Sequence, residues 1–359
     1  MEIFEILASN DNNLNVRANN GNTLLHTAAE FARNAKMVEF LIASGLDVNA
    51  VGDGQRVPLH YAAQNPDVEV VRILIAHGAR FDVPNSQGNT PLHAIAAHHP
   101  NPEALRILVA EGANLNAIGS QGRCVMHLAS EHNPNVEVVR YLVSQGADVT
   151  VRINNPNVAF HDATPLSAAA WGNPNVEMVQ YLISQGADIH SQRMDGASPV
   201  QMAAWGNPNP EVLRYLVSRG ADVNARNNIG STPLHYAVNR HSNMRLEKAK
   251  ILVSGGAEVD AANNTGTTPL MLAANSNPDL EFARFLLSEG ANVSARTSIG
   301  NEPLHLAARS NGNAEMIPLL IAAGADVNAK NDAGETPLDV ANTDEKRNLL
   351  RAAGGVSGR

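Results

Sequence analysis

Thr232-Pro233-Leu234-His235, with its in-register copies, decides the fold of this chain. The phrase recurs as TLLH from Thr23, VPLH from Val57, TPLH from Thr90, CVMH from Cys124, TPLS from Thr164, SPVQ from Ser198, TPLM from Thr268, EPLH from Glu302 and TPLD from Thr336. Successive starts lie 34, 33, 34, 40, 34, 34, 36, 34 and 34 residues apart. A period of this size marks stacked supersecondary units that contact mainly their neighbours, not a globular domain around a central pocket.

Within the copy from Gly230 to Ala257, Thr232 reads as an N-cap, Pro233 stands where a missing N–H does no harm, and Leu234, Ala237 and Val238 begin an apolar face. Pairs of small residues after the His position, such as Ala62-Ala63 and Ala203-Ala204, make this first helix slim enough for close stacking. A second helix starts at Asn34, Asp67, Asn101, Asn135, Asn175, Asn209, Asp279 or Asn313 and ends at a glycine eleven residues on, Gly220 for example. Glutamates at its start lead three residues later to Arg72, Arg106, Arg140, Arg214, Lys250 or Arg284, which reads as a solvated, self-compensating outer stripe. The stretch after each glycine, as in Ala221 to Ala225, reads as a projecting hairpin.

Hairpin, TPLHxAA, second helix and GADVNA together resemble the ankyrin repeat over about residues 10 to 354. The resemblance implies an all-α solenoid of stacked helix-turn-helix units with projecting β-hairpin loops. It implies one array over residues 1–354, with an N-terminal capping helix in 1–16 (Glu2 to Ala8), nine repeats in 17–335, a C-terminal cap repeat in 336–354 and a flexible tail in 355–359. With both ends capped, a complete array is expected. An Asn-Pro-Asn linker, as at Asn207-Pro208-Asn209, replaces the family's tighter inter-helix turn and is expected only to lengthen it. The resemblance also gives His26, His60, His93, His127, His235 and His305 a structural role, tying neighbouring backbones together, and makes Asn49, Asn116, Asn224 and Asn328 similar to asparagines that are hydroxylated in some members.

Family members mostly bind proteins on the concave surface of first helices and hairpin tips. The column expected to face that groove runs Glu30, Gln64, Ala97, Glu131, Trp171, Trp205, Asn239, Asn275, Arg309 and Thr343. Both tryptophans of the chain stand in successive repeats of it, and tryptophan is enriched among binding hot spots; the alternative is that the rings fold over the linkers and cover apolar surface. The one 40-residue step inserts six residues in 152–163, carrying Phe160, His161 and Asp162, either as a functional finger or as a tolerated insertion. Finger residues Met194, Asp195, Asn228 and Ile229, with His132, Asn239 and Arg240 from the groove columns, complete the candidate partner-binding set with Trp171, Trp205, Glu131, Phe160 and His161.

Composition narrows the alternatives. Apolar residues make up 44% but aromatics 4%, so the core must be a thin aliphatic layer. A net charge of −9 with five lysines does not describe a phosphate-binding surface, and nucleic acid is not expected as a partner. No leader-like start and no run of about 18 to 20 apolar residues is present, so no membrane span is expected. Cys124 is the single cysteine, which points to a reducing, cytoplasmic setting, with host-directed secretion left open. No HExxH, Cys/His cluster, calcium loop, G-x-S-x-G or phosphate-cradling loop occurs, and Asp47, Asp148, Asp188, Asp222, Glu258 and Asp326 read as hairpin acceptors. The expectation is a monomeric, non-enzymatic scaffold or adaptor with a protein partner, no cofactor, no metal and no catalytic residue. A self-assembling spacer array is the alternative, and an enzyme or small-molecule receptor ranks last.

Overall fold

Each repeat folds as the sequence pattern dictates. Thr232 is extended (φ −95°, ψ 169°) and Pro233–Ala237 form a short helix from it; Asn209 caps Pro210–Ser218 by accepting the Glu211 N–H at 3.0 Å. That second helix ends at Gly220, whose φ of +87° only glycine adopts without strain, and the Gly220 and Ala221 amides close on the Val217 and Leu216 carbonyls.

A computed structural model describes residues 14–158, 161–238, 244–276 and 279–358; the expected capping helix over Glu2 to Ala8, and with it Phe160, Asn239 and Arg240, lie outside them. Among the described residues the chain is helical. The projecting loops carry no regular strand there and show only the isolated antiparallel bridges Arg17 with Thr23 and Ile118 with Cys124. The fingers hold together through turns: the Asn227 and Gly230 amides close on the Ser231 and Asn227 carbonyls.

The described residues fall into two compact units. One contains residues up to 169 with 175–188, the other 170–174 with 189 onward. In the first, α1 (Leu24–Phe31), α2 (Lys36–Ala43), α3 (Pro58–Tyr61), α4 (Val68–Ala76), α5 (Pro91–His98), α6 (Glu103–Ala110), α7 (Val125–His132) and α8 (Val136–Ser144) alternate as first and second helices. In the second, α9 (Pro199–Gly206), α10 (Pro210–Ser218), α11 (Pro233–Ala237), α12 (Arg245–Ser254), α13 (Pro269–Ser276), α14 (Leu280–Ser288), α15 (Pro303–Ser310), α16 (Met316–Ala322), α17 (Pro337–Val340) and α18 (Asp344–Ala352) do the same.

Both cores are aliphatic. Leu59, Val70, Leu74, Leu92 and Leu108 in the first unit and Leu216, Leu234, Leu270, Leu286 and Leu304 in the second are fully or almost fully buried, with the Ala62-Ala63 and Ala203-Ala204 pairs at 0% exposure. Small residues there let the helices stack closely. On the outer face, Arg72, Arg106, Arg140, Arg214 and Arg284 each pair with the glutamate three residues earlier, and Arg72, Arg140 and Arg214 also reach Glu103, Glu177 and Glu247 of the next repeat.

Two polar ladders join the repeats. In the first, Nδ1 of His26, His60, His93, His127, His235 and His305 accepts the amide N–H of the residue three positions earlier at 3.0–3.4 Å. The Nε2–H donates to a carbonyl of the following repeat at 2.9–3.2 Å. Gln201 reproduces both bonds, accepting from the Ser198 N–H and donating to the Ser231 carbonyl, each at 2.8 Å. The second ladder is the linker asparagines. Asn65, Asn133, Asn207 and Asn311 are buried, and each Nδ2 donates to two carbonyls of the preceding first helix or its end, Ala170 and Asn173 in the case of Asn207. At these four positions the linker therefore locks a repeat to the one before it, beyond the simple lengthening expected of it. Lys248 and Lys346 serve the same carbonyl column from second helices, reaching Ala204 and Ala308 at 3.2 Å.

The C-terminal stretch expected as a flexible tail is tied down over 355–358. Val356 O accepts from Thr336 Oγ1, the Val356 amide donates to Asn328, and Ser357 and the Gly358 amide donate to Asp339. Asp339 replaces the ladder histidine of its repeat, and its carboxylate accepts from Ser357 and Gly358.

Candidate protein-interaction surface

In the second unit, the fingers are held in a row by backbone bonds: the Asn228 amide donates to the Asp195 carbonyl, Asn264 to Ile229, Ser298 to Thr265 and Asp332 to Ile299, at 2.9–3.2 Å. Asn228 also donates Nδ2 to the Met194 carbonyl at 2.8 Å. At the tips, Met194, Ile229 and Ile299 stand 60%, 61% and 59% exposed. Asp195 is engaged in its own finger, accepting the Ala197 amide and pairing with Arg193, whose guanidinium is buried beside Met202 Sδ. The structure thus sets Met194, Asp195, Asn228 and Ile229 on two adjacent fingers, and Ile299 stands two fingers further on, beyond Thr265.

The tryptophans are half-buried, and each leans on the next repeat. A Cβ on Gly206 would collide with Trp171 Nε1, so the indole lies directly on that glycine, and the Trp205 ring packs against Tyr236 at 5.7 Å between centroids. Asn227 donates to the Tyr236 hydroxyl at 2.8 Å, linking this aromatic row to a finger. Trp171 and Trp205 therefore serve inter-repeat packing and offer only part of their surface outward. Tyr236 was missed because its position, directly after the ladder histidine, reads as core.

In the first unit a groove of about 690 Å³ runs along the fingers and first helices, lined among others by Glu30, Arg56, Tyr61, His98, Arg123 and His132. Glu131 is a correction to the sequence reading: its side chain is 7% exposed and is taken up by Arg123, so it is no free recognition residue. Burial pushes its carboxyl up and the Arg123 guanidinium opposes that. His132 Nε2 lies 3.2 Å from Glu131 Oε1, and the His132 ring stacks on His98 at 5.8 Å. His161 also differs from expectation. It folds back into the long finger, Nδ1 accepting the Asn155 amide at 3.1 Å, while Ile153 closes the finger base through the Asp162 amide and Ala163 carbonyl. Arg56 and Arg123 were missed; both directly precede a TPLH-type phrase, a column the sequence reading did not follow.

The remaining chemistry is structural. Asp47, Asp148, Asp222 and Asp326 each accept the amide two residues on, at 2.7–2.9 Å. Asn49, Asn224 and Asn328 donate Nδ2 to the carbonyls of Gly78, Gly256 and Gly354, about one repeat further along the chain. Cys124 is buried at a helix start with its Sγ 3.1 Å from His127 Nδ1, and burial raises its thiol. Among the described residues no group of three or more His, Cys, Asp or Glu is placed to hold a metal, and no helix is long and apolar enough to cross a membrane.

A family model described as "Ankyrin repeats (3 copies)" matches residues 1–85, 59–153, 166–262, 200–297, 242–331 and 283–351, and one described as "Ankyrin repeats (many copies)" matches 125–183. The chain belongs to the ankyrin repeat family. Ankyrin repeats are generally protein–protein interaction modules, and the family is typically non-enzymatic. Among curated proteins, the chain is 40% identical over 91 residues to human Neurogenic locus notch homolog protein 1, covering 25% of this chain and 4% of that protein. It is 33% identical over 84 residues to human Ankyrin repeat and SOCS box protein 16, covering 21% and 18%, and 33% identical over 76 residues to the Caenorhabditis elegans Transient receptor potential cation channel subfamily A member 1 homolog, covering 21% and 6%. The matches thus span less than a fifth of each relative, and the likeness is one of repeats.

Proposed function

We propose that this ankyrin repeat chain is a non-enzymatic scaffold or adaptor that binds a protein partner on the finger side of its second unit. The observation that carries the reading is the row of Met194, Ile229 and Ile299, each about 60% exposed on fingers fixed by inter-finger hydrogen bonds. Fingers already fixed by backbone hydrogen bonds have little backbone entropy left to lose on docking, and an apolar centre within a polar rim is the anatomy of a protein interface. The Trp171, Trp205 and Tyr236 row supports the fingers and adds aromatic edge to the surface.

The test is affinity capture with the full chain beside the Met194→Asp/Ile229→Asp variant, whose changes sit at solvent-exposed tips and leave the core untouched. The reading expects proteins retained by the wild type and lost with the folded variant. Identical profiles contradict it, and so does sedimentation in which the wild type self-associates with rising concentration while the variant stays monomeric, since the tips would then serve self-assembly.

A further inference from the structure

The first unit carries a two-repeat periodicity in its fingers. Residues 53–55 and 120–122 form matching 3-10 turns 67 residues apart, and each is pinned by an asparagine of the preceding repeat: Asn22 Oδ1 accepts the Asp53 amide at 2.8 Å and Asn89 Oδ1 the Ser120 amide at 2.7 Å. Arg56 and Arg123 follow these turns at equivalent positions, and both line the same groove. Arg123 grips the carboxylate of Glu131, eight residues on. Eight residues after Arg56 stands Gln64, an exposed amide.

Arg56 is therefore built like Arg123 but lacks the carboxylate. Among the described residues it has no ion-pair partner, whereas Arg72, Arg106 and Arg140 on the outer face of the same unit each have a glutamate. Its guanidinium is held over the Tyr61 ring, 5.7 Å from the centroid, and Tyr61 is itself fixed through its hydroxyl to Asn22. Such a contact orients the planar fork while leaving its N–H donors available, and that fork matches a carboxylate in bidentate fashion. Of the groove's charged groups, Arg123 is neutralised by Glu131, and Arg56 and Glu30 stand outside any ion pair among the described residues.

We propose that the groove of the first unit binds an acidic segment of a partner protein, with an Asp or Glu side chain seated on Arg56 in the place that Glu131 occupies on Arg123. The histidine stack of His98 and His132 and the Tyr61 ring flank the segment. The proposal rests on reading the chain as a protein-binding module, but it concerns a unit that the fingertip variant does not touch.

The test is selection of a phage-displayed library of random 16-residue peptides on the full wild-type chain, on Arg56→Gln, on Gln64→Glu and on Met194→Asp/Ile229→Asp. Arg56 and Gln64 are both exposed, and folding of each variant is checked by its thermal midpoint. Arg123 is left alone because its removal strands a buried carboxylate. The expected result is wild-type binders enriched in Asp and Glu, held at least tenfold more weakly by Arg56→Gln and by Gln64→Glu, the latter because it fills Arg56 from within, and held equally by the fingertip variant. Enrichment without acidic residues, acidic binders indifferent to both Arg56→Gln and Gln64→Glu, or no binders at all would overturn the proposal, while the fingertip reading stands or falls on its own capture experiment.

Discussion

Acidification should loosen the array at its histidines, and Gln201 shows how to prevent it. His60 and His127 are 5% and 0% exposed, and burial holds each ring at about 4 against an ordinary 6.5. Nδ1 of each already accepts an amide N–H and Nε2–H already donates to a carbonyl, so a second proton has no place without breaking the first bond. The folded-state value lies below the unfolded one, so the unfolded chain takes up protons first as the pH falls; the contribution is complete above about pH 6.5 and drains away toward pH 4. At pH 5 each site has lost about 2 kcal/mol, from about 1.4 kcal/mol per pH unit below 6.5. His60→Gln and His127→Gln should keep both hydrogen bonds, as Gln201 does, without titrating. Urea unfolding followed by far-UV circular dichroism at pH 7 and pH 5 reads the difference, and exchange of the Val57 and Cys124 amides localises it where a repeat array departs from two-state behaviour. The stability lost by the wild type between the two pH values should shrink by about 2 kcal/mol in each variant and by about 4 kcal/mol in the double variant. A double variant with the wild-type pH response would refute the protonation argument, and a single variant unfolded at pH 7 would refute the equivalence of glutamine and histidine here.

Three further outcomes follow from packing. Asn207→Ala leaves the Ala170 and Asn173 carbonyls without their buried donor and should lower stability by about 2–4 kcal/mol in urea unfolding. Gly206→Ala drives a Cβ into Trp171 and should cost about 1–3 kcal/mol and shift the tryptophan fluorescence, and both effects should shrink when Trp171→Ala is added. Arg284→Ala removes an exposed pair with Glu281 and should leave the unfolding midpoint unchanged, a shift of several degrees being the contrary result.

The repeat architecture was legible because every copy carries the same local chemistry. The N-caps Asp67, Asn135, Asn175, Asn209 and Asp279 accept the amides foreseen for them, the ladder histidines bond backbone on both sides, and the hairpin aspartates accept within their own turns. What escaped the sequence depends on what one repeat sets beside the next. Asn65, Asn133 and Asn207 look like turn formers in isolation, and only the open carbonyls at the end of the preceding helix make them buried connectors. The column of Trp171 and Trp205 points to a groove-facing pair, with rings folded over the linkers as the alternative, and nothing within either repeat decides between the two. The glycine that matters to Trp171 is Gly206, 35 residues on, whose missing side chain makes room for the ring.

The candidate site divides the same way. Met194 and Ile229 were readable as finger tips, since an apolar residue at the crest of a turn-forming stretch has nowhere to hide, and both are exposed. Glu131 and His161 were not, because exposure at those columns is decided by single neighbours: Arg123 reaches Glu131, and the Asn155 amide reaches His161. Comparing columns two repeats apart would have exposed the Arg56 and Arg123 pair, but the alternation is hidden when repeats are compared only with their immediate neighbours.

Site-specific photo-crosslinking tests the central claim most directly. A benzoylphenylalanine is placed at position 229 on a finger tip of the full chain and, separately, at position 284 on the outer helical face, and each protein is irradiated in extract of its source. The account predicts a discrete crosslinked protein from position 229 that is absent from position 284. The same adducts from both positions, or adducts from position 284 alone, would contradict it.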